Sequence, residues 1–134
     1  MQTTQSSALR IEKADPIGET ARDLINALCS EMSERYGAPP SPFSPGEAAA
    51  PRIVFLVAHF DGQPVGCGAL RRLDDEVAEI KRMYVIPARR RTGIARRILL
   101  ELERHAEAFH YRAIRLETGL RQPEAQRLYE SLVW

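Results

Sequence analysis

Apolar positions set out a series of elements along the chain. Leu9 and Ile11 alternate with Arg10 and Glu12 as in a short, half-buried strand, after a polar start over residues 1–7 that is expected to be loose. Beyond Asp15-Pro16 the spacing changes. Ile17, Ala21, Leu24, Ile25, Leu28 and Met32 recur three and four apart, which predicts an amphipathic helix running to Tyr36, with Asp15 as N-cap and Pro16 in its first turn. Residues 38–51 hold five of the nine prolines and read as a loop, either a plain connection or part of a substrate rim. Ile53 to Phe60 and Pro64 to Leu70 are strand-like runs around Asp61-Gly62, a strong hairpin signal. Gly66 and Gly68 within the second run mark a bulge, a close backbone approach, or simple packing beside a large neighbour. Asp74-Asp75 supplies the next turn.

In the following strand, Val77 to Val85, Ile80 and Met83 are three apart while Met83 and Val85 are two apart. The alternation slips by one residue near Lys81-Arg82, so a bulge is expected there, though an irregular edge would leave the same pattern. Pro87 ends the strand. Ile94, Ile98, Leu99, Leu102, Ala106 and Phe109 then form one face of a helix, and Ala113 to Thr118 alternates again as a strand. A strand, helix and strand of these lengths make a crossover unit with the two strands parallel. Gln122-Pro123 opens a last helix with Ala125, Leu128 and Leu132 on its inner face. The fold class is therefore α/β with a mixed sheet, in a single domain spanning residues 1–134.

Composition narrows the function. The 134 residues are 44% hydrophobic and 28% charged, and 19 basic against 18 acidic side chains leave a net charge of +1. The chain is no polycation, so nucleic-acid binding is not expected. Cys29 and Cys67 lack CxxC spacing and read as buried reduced thiols, and His59, His105 and His110 have no metal-ligand spacing, so no metal is expected. The start MQTTQSSALR has no apolar signal core and no run approaches the ~18 residues of a membrane span, which makes the cytoplasm the default compartment and a membrane partner unexpected.

Charge is concentrated in one place. Arg89, Arg90, Arg91, Arg96 and Arg97 crowd a turn that opens into a helix. Helix starts expose backbone N–H groups and a positive dipole end, where cations are unfavourable unless an anion sits among them. The stretch reads as a seat for a multiply charged anion, and no GxxxxGK[ST] loop suggests a nucleotide triphosphate.

Arg90, Gly93 and Ala95 occupy the pattern Arg-x-x-Gly-x-Gly/Ala after a strand, with EIKRMYV before it and QPEAQRLYE after it. Over about Arg52 to Leu132 the chain resembles the GNAT superfamily of N-acetyltransferases. That resemblance implies a splayed central sheet flanked by helices and direct transfer of an acetyl group from acetyl-CoA to a primary amine of a small molecule or peptide. It places the coenzyme's pyrophosphate on the amides of Arg91, Thr92, Gly93, Ile94, Ala95 and Arg96, with arginine side chains, Arg90 among them, adding charge. It also implies that backbone N–H groups around Met83, Tyr84 and Val85 meet the thioester carbonyl. Glu79, before the bulge, is the candidate base, or else a strand carboxylate paired with Lys81 or an arginine. Tyr129 matches the position whose hydroxyl protonates the departing thiolate, or is a half-buried core tyrosine. Gln122 stands where an asparagine is often found, as a contact to the pantetheine arm or a helix cap. Family members usually continue past this helix with a glycine-aromatic pair and two further strands, whereas Val133-Trp134 ends the sequence. The C-terminal strands are thus expected to be absent, through truncation or in a short form whose open edge a partner, such as a second copy in a homodimer, would complete. The alternative function is a coenzyme A-binding or partner-binding domain without catalysis.

Overall fold

A computed structural model describes residues 9–36 and 45–116. Five strands form one sheet in chain order: β1 (Leu9–Lys13), β2 (Val54–Phe60), β3 (Gln63–Arg72), β4 (Val77–Val85) and β5 (Ala113–Leu116). β1 to β4 pair antiparallel, and β5 lies parallel to β4, as the crossover rule requires. α1 (Glu19–Tyr36) covers one face and α3 (Ile94–Ala108) the other, while a four-residue helix, α2 (Pro45–Ala48), interrupts the stretch expected to be loop throughout.

Two cores result. Ala21, Leu24, Ile25 and Leu28 of α1 pack on Phe55, Val57, Cys67, Ala69 and Tyr84. On the opposite face, Ile94, Ile98, Leu99, Leu102 and Ala106 of α3 pack on Val54, Leu56, Leu70, Ile80 and Val85. These helical positions are the ones the apolar spacing singles out. The hairpin turn also forms as expected, with Asp61 and Gly62 both left-handed at φ 52° and 80°. Asp74 Oδ1 accepts the N–H groups of Glu76 and Val77 at 2.8 Å, closing the next turn.

The start of α1 differs from the expectation. The Asp15 carboxylate accepts the Ile17 N–H at 3.0 Å and its carbonyl accepts the Gly18 N–H at 3.0 Å, so residues 15–18 form a separate turn. Gly18 O then takes the Arg22 N–H at 2.9 Å and begins the helical ladder. Asp15 caps a turn rather than the helix, and Ile17 is left 41% exposed.

The slip in β4 is a bulge. Cys67 faces Tyr84 and Ala69 faces Lys81, so Gly68 alone stands opposite Arg82 and Met83, with Arg82 left-handed at φ 59°. Cys67 Sγ donates to the Arg82 carbonyl at 3.3 Å, and burial pushes the thiol up to about 12, against the opposing pull of Arg82, so it stays protonated and available as that donor. A Cβ on Gly68 would lie 2.5 Å from Met83 Sδ and 2.8 Å from Ile98 Cγ2. Of the readings open for this glycine, bulge and close packing hold together, because the bulge drives Met83 into the space a side chain would fill.

Candidate active site

The upper edge of the sheet gathers the end of β4, the turn that follows, and the start of α3. β4 pairs with β5 only from Val77↔Ala113 to Ile80↔Leu116 among the described residues. Beyond Ile80 the strand continues with β3 on one side. Ile86 donates its N–H to Val65 O at 2.9 Å, and Cys67 faces Tyr84, so alternation turns the N–H of Val85 away from β3. At the bulge, Arg82 O accepts from Cys67 Sγ of β3, which turns the Met83 N–H, trans to it in the same peptide, away as well. Val85 presents its carbonyl to the same side, where Arg90 Nε donates to it at 2.8 Å. Two backbone donors turned away from β3 are thus brought to within a few residues of the arginine-rich turn.

That turn begins with a single 3₁₀ turn, Pro87–Arg89, and ends at Gly93, which caps α3 at φ 87°. Thr92 Oγ1 donates to Arg89 O, and Arg97 N donates to Gly93 O at 3.1 Å, closing the first turn of α3. The N–H groups of Arg91, Thr92, Gly93, Ile94 and Ala95 make no backbone hydrogen bond among the described residues. Nothing lies within 4 Å of the position a Gly93 Cβ would take, and the first turn of α3 carries no acidic side chain. Such a donor set, exposed over Arg91–Gly93 and flanked by cations, suits a pyrophosphate. A pocket of about 550 Å³ adjoins it, walled by Arg89, Arg96 and Arg97 over Leu9, Phe60 and Leu100. Arg89 stacks over the Phe60 ring at 4.3 Å.

Arg90 is directed inward. Besides its bond to Val85, Nη2 meets Glu31 Oε1 of α1 at 2.6 Å, its N–H donates to Pro87 O at 3.3 Å, and the guanidinium carbon sits 5.6 Å from the Tyr84 ring centre. Burial chiefly, and Glu31 next, raise the Tyr84 phenol above its ordinary value, with Arg90 acting against them, so Tyr84 is a neutral wall.

Glu79 lies on the α1 face of β4, half-buried, with Oε1 accepting from Arg71 Nε at 2.9 Å across the β3–β4 pair. The arginine pairing foreseen for this carboxylate is therefore present, with Arg71 as the partner. Met83 is four residues further on, roughly 13 Å of strand. Lys81 and Arg82 beside it are buried despite their charge. Gln122, Tyr129 and the last helix lie outside the described residues. Sequence reasoning did not single out Glu31 or Arg71, since nothing in a helix or strand pattern distinguishes a carboxylate or guanidinium that faces a neighbouring element.

The acetyltransferase (GNAT) family model matches residues 21–132. This chain belongs to that family. An IAA acetyltransferase of Azospirillum brasilense is 36% identical over 122 residues, covering 89% of this chain and 79% of that protein. Bacillus subtilis YsnE, described as an uncharacterized N-acetyltransferase, is 37% identical over 83 residues, covering 60% of this chain and 55% of its own. Among solved structures, a Klebsiella pneumoniae protein assigned as an acyl-CoA N-acyltransferase superposes with a TM-score of 0.77 at 28% identity, over 94% of this chain and 82% of its own. A GNAT acetyltransferase of Elizabethkingia anophelis with acetyl-CoA bound shares the fold at a TM-score of 0.68 and 19% identity, over 92% of this chain and 73% of its own. The GNAT chain described here is an acyl-CoA-dependent N-acetyltransferase. No helix among its described residues is long and apolar enough to cross a membrane, and no cluster of metal-binding side chains occurs among them.

Proposed function

We propose that this GNAT enzyme moves an acetyl group from acetyl-CoA directly to a primary amine of a small molecule or peptide, in the cytoplasm and without a metal. The observation that carries the reading is the run of N–H groups from Arg91 to Ala95 with no backbone partner among the described residues, beside the outward N–H groups of Met83 and Val85. The first set receives the pyrophosphate, helped by Arg96 and neighbouring cations; the second, on the strand of Met83, Tyr84 and Val85, receives the thioester carbonyl. A donor aimed at the oxyanion is worth ~3 to 4 kcal/mol of barrier.

The amine nitrogen attacks the carbonyl carbon, the C–N bond forms, and the C–S bond breaks to release thiolate. An alkyl ammonium of pKa near ~10 must first lose a proton. Glu79 takes it through intervening water, since the strand distance to Met83 exceeds the reach of one side chain. Tyr129 gives a proton to the departing sulfur, its phenolate is reprotonated by the second proton that the attacking nitrogen sheds as the amide forms, and Gln122 contacts the pantetheine arm.

Thermal unfolding in parallel with acetyl-CoA, free CoA and ATP tests the seat. Both CoA species should stabilise the fold by about 2.7 kcal/mol at one hundred times the dissociation constant, and ATP should not. Thiol release from acetyl-CoA should then require an added primary amine, and Glu79→Gln should lower its rate by about 10². Absence of any CoA-dependent shift would overturn the proposal, and undiminished turnover in Glu79→Gln would remove the base from it.

A further inference from the structure

We propose that Arg90, the arginine opening the Arg-x-x-Gly-x-Ala turn, is a positioning residue whose side chain orients the thioester-binding strand and ties it to α1, in place of contacting phosphate; this rests on the acetyl-transfer reading. Two of its three guanidinium nitrogens, and its backbone N–H, are engaged by protein. Nε holds Val85 O at 2.8 Å, Nη2 holds Glu31 Oε1 at 2.6 Å, and the backbone N–H holds Pro87 O at 3.3 Å.

Val85 O and the Ile86 N–H belong to one peptide plane. Arg90 grips the oxygen and Val65 O accepts the N–H at 2.9 Å, so the plane is held from both edges just before Pro87 ends the strand. Holding it, with the Tyr84–Cys67 pairing on the other side of the residue, restrains φ and ψ of Val85 together and so the direction of the Val85 N–H, a donor for the thioester oxygen. Glu31 adds the link to α1. Only a planar fork of donors can reach a carbonyl and a carboxylate in different elements at once; an ammonium on a flexible stem cannot hold both in one geometry.

Arg90→Gln, Arg90→Lys and Glu31→Gln separate the two roles for this side chain. If it positions, calorimetric affinity for free CoA should stay within about threefold of the parent in both Arg90 variants. Protection of the Ile86 amide from hydrogen exchange should fall by about tenfold or more in each. The kcat for acetyl transfer should drop by about tenfold with KM for acetyl-CoA little changed, and Lys should not rescue it. Glu31→Gln should give a smaller change of the same kind. The proposal is overturned if Arg90→Gln weakens free CoA by tenfold or more in a manner that high salt diminishes and Lys restores, because that is the signature of a phosphate contact. It is overturned equally if Ile86 protection is unchanged. Amide exchange needs no turnover, so it judges Arg90 even if no acetyl transfer is found.

Discussion

Gly68 shows how much one absent side chain can decide. Opposite it, β4 carries an extra residue, and Met83 and Ile98 close over the glycine from the bulge and from α3. In Gly68→Ala the new methyl meets Met83 Sδ, the end of a flexible chain, but also Ile98 Cγ2, a branched atom fixed by its rotamer on a helix. The second contact decides the sign. We expect a loss of about 2 kcal/mol, read as a lower urea midpoint at unchanged m-value, whereas equal stability would mean α3 shifts freely. The sequence made the bulge legible through the broken alternation of Ile80, Met83 and Val85. Which of several readings applied to Gly68 was not legible, because that depends on Ile98, thirty positions away. The same holds for Glu79: its residue type and place on the strand were readable, and its pairing with Arg71 required the β3–β4 register.

At the scale of elements, α3 was read almost to the residue. Its five buried positions and the glycine before it are a local pattern, and local patterns survive folding. α1 was read correctly at Ala21, Leu24, Ile25 and Leu28 but a turn too early at its start, where Ile17 is exposed, since Asp15 can cap a turn as readily as a helix and only the position of Gly18 settles which. α3 also carries a titration that no periodicity displays. Burial first, then the charge of Lys13, lowers His105 below the ordinary 6.5, with Glu101 opposing. The unfolded chain therefore takes up a proton at His105 before the folded one does, and stability falls as pH drops below about 6.5 until the lowered value is passed. His105→Gln should flatten that part of the pH dependence of thermal unfolding while leaving stability near pH 8 close to the parent. An identical slope in both proteins would assign the acid sensitivity elsewhere.

Across the whole molecule, the two ends of the sheet serve different purposes. The upper end holds the exposed donors of the α3 turn; the lower end is a clamp. Arg52 donates from Nη1 to Phe109 O at 3.1 Å and from Nη2 to Asp75 O at 3.0 Å, and its guanidinium lies 4.2 Å from the Tyr111 ring centre. Tyr111 Oη donates back to Arg52 O at 3.1 Å. This ties the entry to β2, the β3–β4 turn and the α3–β5 connection. Arg52→Ala should cost about 2 kcal/mol in chemical denaturation, from lost charge-assisted bonds and cation–π contact, and leave KM for acetyl-CoA unchanged. A change in KM with intact stability would refute the separation of the two ends.

Sequence alone pointed to the five strands, the two long helices, the bulge and the crossover of the described residues, and to the turn proposed as an anion seat, because each depends on residues within a few positions of one another: apolar spacing, proline and glycine punctuation, and arginines crowding one turn. Tertiary structure decided the partners. It set Arg90 against Val85 and Glu31, gave Glu79 to Arg71, and drew Arg52 to Phe109 and Asp75. Each of these contacts joins elements far apart in the chain, and a guanidinium or carboxylate selects among such partners only after the sheet and both helices have set which of them come within hydrogen-bonding distance.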